Sequence, residues 1–540
     1  MAPAYALALA LVVTGPLLGP GYLLLRDAVS TPRSYLSDAA LGLTEAAPRA
    51  LPQDFFMAVT STVVDGGVVA KVLLVAGLWL AGWGSARLVS AVLPDTGLAG
   101  QCVAVTLAIW NPYVAERLLQ GHWSLLVGYG CLPWVAAAMF GIRATGRGWP
   151  ALVFWIALAG LTPTGLILAA IVALVCVRSR RAAAVVVTAA AAAALPWLTA
   201  SVLAGSLSGV ASTGVHAFAA RAEPGLGTAG SLAGLGGIWN AQAVPGSRTS
   251  LFAVVATVVV VAVVVVGLPA ALRVRAARPL LVLAVVAVVL PALLATGPGL
   301  ALLETVVRTV PGLGLLRDGQ KWVALALPGY VLAAAGVARY GRAVAVVSGA
   351  ALIAVLPDLA WGVGGQMRAV HYPAGWATVA AMINADPRPV AVLPADSMRQ
   401  FAWAGTAPVL DPLPRWVSAD VLSSGDLVIG GQTVSGEGTR GRHVTALLLD
   451  GAPRQRLADA GVGWVVAEPG SPAVNLPVAY RDGDLTLYRV GGTAPGASGR
   501  AVAIAAHLVW LGVLVAAGLL ALGRGLPGRR SRTGYTTPLT

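Results

Sequence analysis

Charge is what this chain has least of. Of its 540 residues only 11% are Asp, Glu, Lys or Arg, where soluble domains carry about 25%. Lysine is almost absent, occurring only at Lys71 and Lys321. The three cysteines, Cys102, Cys131 and Cys176, all lie inside apolar runs with no accompanying histidine pattern. That excludes a disulfide framework and a cysteine-based metal site. The apolar stretches run continuously, without the alternation a membrane β-barrel strand requires. The first run also lacks a basic leader and a small-residue cleavage pattern, so it reads as a retained span.

What is present is apolar length. Hydrophobic residues make up 57% of the chain, and the mean hydropathy is +0.80. Runs of roughly 20 residues without charge are long enough to cross a bilayer as helices. The expected fold is an all-α polytopic bundle of about twelve spans: 4–25, 66–91, 99–115, 123–142, 149–161, 164–177, 182–203, 250–272, 279–297, 320–338, 343–361 and 500–522. The fifth and sixth come from one stretch, WPALVFWIALAGLTPTGLILAAIVALVCV, with basic residues at both ends. Thr162-Pro163-Thr164-Gly165 breaks it into a hairpin, because proline removes a helix donor. Arg143 and Arg147, Arg178 to Arg181, Arg273 to Arg278, Arg339 and Arg342, and Arg524 to Arg532 then fall on one side. By the positive-inside rule that side is the cytoplasm, with both termini there.

The division into domains follows composition. Residues 1–362 read as the transmembrane part, with a long first outer loop at 26–65. Residues 363–498 hold 10 Arg against 11 Asp plus Glu, so the net charge of +14 belongs to the rest of the chain. WATVAAMI and VTALLLDGAPRQRLADAG predict helices, PVAVLP and GWVVAE buried strands, and VAYRDGDLTLYRV a hairpin about Asp482-Gly483. This is a small extracytoplasmic α/β domain, tethered by a final span at 499–522. The basic tail, 523–540, reads as cytoplasmic charge near anionic lipid, not as a nucleic-acid site.

Eleven acidic residues lie outside 363–498, and in this topology all but Asp95 fall at or beyond the outer surface. An ionisable group close to hydrocarbon is costly and marks a functional site by default. Acids also accumulate wherever basic residues do not, and that reading stays open for the group as a whole. Three stretches stand out. GPGYLLLRDAVSTPRSYLSD carries Arg26, Asp27 and Asp38. WNPYVAERLLQGHWSLLVGYGCLPW carries Glu116, Arg117 and His122, with aromatics that an interfacial belt would also explain. VPGLGLLRDGQKWVALALPGY carries Arg317, Asp318 and Lys321, a pair of cations suited to a lipid phosphate or to snorkelling.

The long first loop, opening with an acidic residue after the first span, resembles the GT-C class of integral membrane glycosyltransferases. GLGLLRDGQKWVALALPGYVLAAAGVARY and LADAGVGWVVAEPG…YRDGDLTLYRV are similar to segments of the large arabinofuranosyltransferase-like and YfhO-like polytopic members. The resemblance implies an inverting enzyme of the cytoplasmic membrane. It would transfer a sugar from a polyprenyl-phosphate donor to an envelope glycan or glycolipid on the outer face. It further implies a loop carboxylate as general base, with Asp27 first and Asp38 next. Arg26 would keep Asp27 charged. Arg317 and Lys321 would bind the departing phosphate, beside Glu116, Arg117, His122 and Asp318. Some members use a divalent cation; RDGD at 481–484 reads as a turn, not as its ligand motif. The chain has Asp27 alone where relatives carry an acidic pair. The rival is a non-catalytic assembly factor or a lipid-linked carrier with the same fold.

Overall fold

An apolar run in hydrocarbon must satisfy its backbone groups within itself, which makes a helix of each long run. The computed structural model describes residues 1–45, 50–204, 214–310, 312–429 and 431–525. Among these, seven helices are long and apolar enough to cross a membrane: Gly66–Val92, Pro94–Gln120, Trp123–Thr145, Arg180–Leu203, Phe252–Leu272, Gly319–Tyr340 and Arg500–Gly523. Two bent pairs raise the number to nine if each is one span. Arg278–Leu294 meets Gly297–Thr309 at 92°, and Arg342–Ala354 meets Pro357–Gly365 at 69°. Ala2–Leu17, Trp149–Ala159 and Pro163–Val175 are shorter apolar helices. The expected runs fall on helices or bent pairs, except that the first, 4–25, is helical only to Leu17 and ends in the strand Tyr22–Leu25; only seven to nine have spanning length. Most of the basic tail lies outside the described residues.

The break expected at Thr162 is present. Its hydroxyl accepts from the Gly165 amide at 3.0 Å and caps the second helix, as an N-cap threonine does. The Gly319–Tyr340 segment departs from a plain helix, because Gly319–Ala326 is wound as 3₁₀ before the α-helix Leu327–Ala335 begins. In that tighter winding residues three apart eclipse one another, which puts Asp318 and Lys321 on one side.

The strand segment is built around Val390–Leu393 and Trp464–Ala467, each buried along its whole length. They pair in parallel, Trp464 opposite Val390. The five-stranded sheet runs in the order Val478–Arg481, Thr486–Arg489, Trp464–Ala467, Val390–Leu393, Val421–Leu422. Trp376, Val379 and Ile383 of the Ala374–Ala385 helix cover one face. Val444, Leu447 and Leu457 cover the other. The expected single helix over 444–461 is two, Thr439–Leu449 and Arg454–Asp459, because Pro453 cannot continue the first. The hairpin turns at Asp482, whose carboxylate accepts from the amides of Asp484 and Leu485, each at 2.8 Å.

The first loop does not float above the bundle. Tyr22–Leu25 pairs with Ala28–Val29 on one side and with Ala369–Val370 on the other. Leu24 and Val29 enter the same core as Trp376. Further on, the Gln53–Thr60 helix lays Phe55 against the ring of His507 at 4.6 Å. Asp38 pairs with Arg500 at the start of the same final helix.

At the end of the Val390–Leu393 strand Arg399 is held between Glu468 and Asp411, with its side chain only 1% exposed. Burial pushes the Glu468 carboxyl up to about 7 against the pull of Arg399, and Asp411, which shares that arginine, adds to the rise. A carboxyl raised in the folded state holds a proton that the unfolded chain releases, so its contribution is present at low pH and lost as pH rises toward 7. Glu468→Gln mimics the protonated form. In detergent-solubilised full chain, the wild-type melting midpoint should fall relative to the variant between pH about 5 and about 7, then run parallel above. Parallel midpoints throughout would refute the shift.

Candidate functional site

The site begins with a short helix that the sequence punctuates clearly. Asn111 caps it, its side-chain oxygen accepting from the Val114 amide at 3.0 Å, and Pro112 occupies the first turn. It ends at Gly121, in the left-handed region at φ 86°. All nine residues of Pro112–Gln120 are buried, Glu116 and Arg117 completely. Two fully buried charges need partners, and apart from Arg117 Nε their polar atoms have them.

Arg117 holds Asp318 by a two-pronged pair, Nη1 to Oδ2 at 2.8 Å and Nη2 to Oδ1 at 2.9 Å. It also donates to the Gln320 side-chain oxygen and to His122 Nδ1, the latter at 3.0 Å. Its guanidinium lies 5.6 Å from the centre of the Tyr113 ring. Glu116 accepts from the amides of Gly237 and Ile238 and from Gln320 Nε2 at 3.0 Å. From Arg117 the network runs two ways. Through Asp318 it reaches Lys321, whose Nζ is 3.7 Å from Oδ2. Through His122 it reaches Asp27, with Nε2 2.9 Å from Oδ2. Gln120 Nε2 donates to the same Asp27 oxygen at 3.1 Å.

Exposure grades along this chain. The Arg117 and Asp318 side chains are 0% and 8% exposed, Lys321 25%, His122 18% and Asp27 34%. The buried centre is a closed ion pair, and the two accessible ends are an acid and an amine. Among the described residues no hydrogen bond reaches Asp27 Oδ1. Burial pushes the Asp27 carboxyl up, but His122 first, then the hydrogen bond of Gln120 and the charge of Lys321, outweigh it and hold Asp27 below the ordinary carboxylate range. Burial likewise opposes the charge of Asp318, and the Arg117 charge with that of Lys321 overrides it, keeping Asp318 ionised.

A backbone contact delivers Asp27 to this place. The Asp27 amide donates to the Gln120 carbonyl at 3.1 Å. A Cβ on Gly121 would stand 2.3 Å from the Ala28 nitrogen and 2.5 Å from the Leu25 oxygen. Glycine is required there twice over, by its φ and by the closeness of the first loop.

Three expected members do not join. Arg26 turns inward, donating to the carbonyls of Leu119 and Gln242, each at 2.6 Å, and is 5% exposed. It fastens the loop rather than facing a ligand, and its own backbone, at φ 48°, makes the turn that releases Asp27 to the other side. Asp38 is bound to Arg500 and the Ala497 amide. Arg317 lies over the Phe218 ring, 5.5 Å from its centre. The interfacial-belt reading of the second stretch also fails for Trp110, Tyr113, Trp123 and Tyr129, which are all buried. Gln120 and Gln320 were not anticipated; the polar cluster Glu116-Arg117-Gln120 inside an apolar setting was their only signal. Among the described residues no three His, Cys, Asp or Glu side chains converge as metal ligands. A cleft of about 730 Å³ lined by Leu18, Tyr22, Asp65, Lys71 and Trp79 lies at the other end of the Tyr22–Leu25 strand and shares no residue with the network.

Gly121→Ala should lower the melting midpoint sharply, by an amount equivalent to more than ~1 kcal/mol. Gly146→Ala is the control. Gly146 is also left-handed, at φ 68°, but nothing lies near its Cβ position. Equal losses in the two variants would show that close approach to the first loop contributes nothing.

No protein-family model matches the chain, and no curated protein matches it. Among solved structures it is similar to the arabinofuranosyltransferase AftD from Mycobacteria, with a TM-score of 0.51 and 16% identity over 91% of this chain. The match covers 41% of that protein, so this chain spans about two fifths of its length. At that identity the likeness shows a shared fold, GT-C-like as the sequence resemblance implied.

Proposed function

We propose that this membrane protein is a cell-envelope glycosyltransferase, taking a sugar from a polyprenyl-phosphate donor and passing it to an envelope glycan or glycolipid. The observation that carries the reading is the pair of accessible ends on one buried network: an ionised carboxylate, Asp27, and an ammonium, Lys321, close enough for the lysine's charge to act on Asp27. Similarity in fold to an arabinofuranosyltransferase supports it.

In this scheme the acceptor hydroxyl lies against Asp27 Oδ1. As its oxygen forms a bond to the anomeric carbon from one face, its proton passes to Oδ1. The bond from that carbon to the phosphate oxygen breaks on the opposite face, and the phosphate leaves with the electron pair. Lys321 faces that developing negative charge. The configuration inverts. Arg317, directed at Phe218, has no part, and neither does Asp38. The same reading takes both termini as cytoplasmic and residues 363–498 as the outer domain, where the growing glycan would lie. Lipid-linked sugars outside the cytoplasmic membrane fit a base at that surface.

Asp27→Asn keeps the shape and removes the base. Transfer from a polyprenyl-phosphate sugar panel, measured in membranes at equal protein levels, should fall by roughly 10²- to 10⁴-fold. Lys321→Ala should raise the donor KM by about tenfold. An unaltered envelope glycan profile with Asp27→Asn, alongside loss of the profile on deleting 363–498, would instead favour the non-catalytic assembly factor.

A further inference from the structure

We propose that His122 is a positioning residue, fixed by Arg117 as the neutral tautomer with its proton on Nε2, so that it donates to Asp27 and does not itself act as the base. The tautomer follows from geometry alone. A guanidinium has donors and no acceptor, and Arg117 Nη1 lies 3.0 Å from His122 Nδ1. Nδ1 must therefore carry the lone pair. The neutral ring then has its hydrogen on Nε2, which is 2.9 Å from Asp27 Oδ2.

Arg117 has no freedom to turn away, because its other contacts bind it to Asp318 and Gln320. The backbone that carries the ring is held as well, since the His122 amide donates to the Arg117 carbonyl at 2.9 Å. The charged and titratable groups that face the ring come from three elements: Asp27 on the first loop, Arg117 on the preceding helix, and Asp318 and Lys321 on the 3₁₀ segment. Protonating Nδ1 would aim its hydrogen at the guanidinium. A histidine beside a carboxylate is ordinarily the easier one to protonate; here burial, with the charges of Lys321 and Arg117, outweighs Asp27 and moves the ring below the ordinary histidine range.

The consequence for transfer rests on the reading of Asp27 as the base. With Oδ2 occupied by His122 and Gln120, the proton can arrive only at Oδ1, on a carboxylate oriented before the acceptor binds. A third group holding a base in its working geometry is the general pattern of such sites.

Two measurements test this. The first is histidine ¹⁵N solid-state NMR of the full chain in lipid bilayers. The chain has five histidines, and the His122 signals are those lost in His122→Gln. At pH about 6, near the ordinary histidine value, Nε2 should be protonated and Nδ1 bare. A doubly protonated ring, or a proton on Nδ1, would overturn the proposal. The second is the kinetics of substitution. A glutamine amide can donate to Asp27 and accept from Arg117 and cannot act as a base, so His122→Gln should keep most of kcat. His122→Leu should lose roughly ten- to a hundredfold in kcat, with little change in KM and with the acid limb of the pH profile moved upward. His122→Gln as inactive as His122→Leu would make the histidine itself the base; His122→Leu at wild-type kcat would remove any role. The NMR result reports the tautomer whether or not Asp27 is the base, which Asp27→Asn decides separately.

Discussion

The buried pair of Arg117 and Asp318 holds the candidate site together. Its partners lie 201 residues apart in sequence and meet through two parallel hydrogen bonds in a place solvent barely reaches. A buried pair of this kind is weak evidence for stability, since two hydrophobic residues could fill the space as well, but removing one partner strands the other at a cost of about 3–5 kcal/mol. The pair therefore reads as a registration device. It sets the short helix Pro112–Gln120 against the 3₁₀ segment Gly319–Ala326, and everything accessible in the site hangs from one or the other.

The second half of the assembly is done by backbone. The Tyr22–Leu25 strand ties the first loop to Ala369–Val370. Arg26 then bridges to Val409 and sends its side chain into the bundle. One residue later the chain crosses over Gly121, and Asp27 emerges facing His122. The first loop is thus clamped between the helices and the strand segment, and Asp27 sits at the crossing. A carboxylate intended merely to decorate a membrane surface needs none of this. Other acids of residues 1–362 show what decoration and stapling look like: Asp65 caps the Gly66–Val92 helix, Asp358 binds Ser247, and Glu223 is buried against Arg248.

Much of this architecture was legible because it is local. A charge-free run of twenty residues reports a helix wherever it sits, and the expected runs found one, save the end of the first, where Tyr22–Leu25 is a strand. The strands at 390–393 and 464–467, and the turn at Asp482, are equally local patterns. Spanning length was less legible, since the bend at Leu356 cuts the run 343–361, whose composition alone is continuous. In the site, chemistry-bearing residue types could be picked from the sequence, but their partners could not. Arg26 and Asp27 are adjacent and looked like one unit; the backbone turns them to opposite sides. Asp38 stood next after Asp27 as a candidate base, and only the position of Arg500, 462 residues away, shows it bound elsewhere. Gln120 and Gln320 carry no charge and drew no notice, although each completes the bonding of a buried or half-buried carboxylate. Gly121 was one glycine among 65.

The order of charges explains why such a network is tolerable beside hydrocarbon. From one accessible end to the other it runs carboxylate, neutral imidazole, guanidinium, carboxylate, ammonium: two negative and two positive groups, arranged so that no like charges adjoin. Glu116 lies to the side, bonded to amides of the backbone and of Gln320 rather than left bare. A net-neutral, alternating row avoids most of the penalty of burying isolated charge, while its ends keep opposite signs. The neutral imidazole is what makes the alternation close, because a charged ring would place two cations side by side against one carboxylate. A site of this form has no surplus of either sign to attract a substrate from afar. Its selectivity must come at short range, from a negative group that docks at the lysine while a hydroxyl docks at the aspartate, and the protein's part is to hold those two ends at a fixed separation.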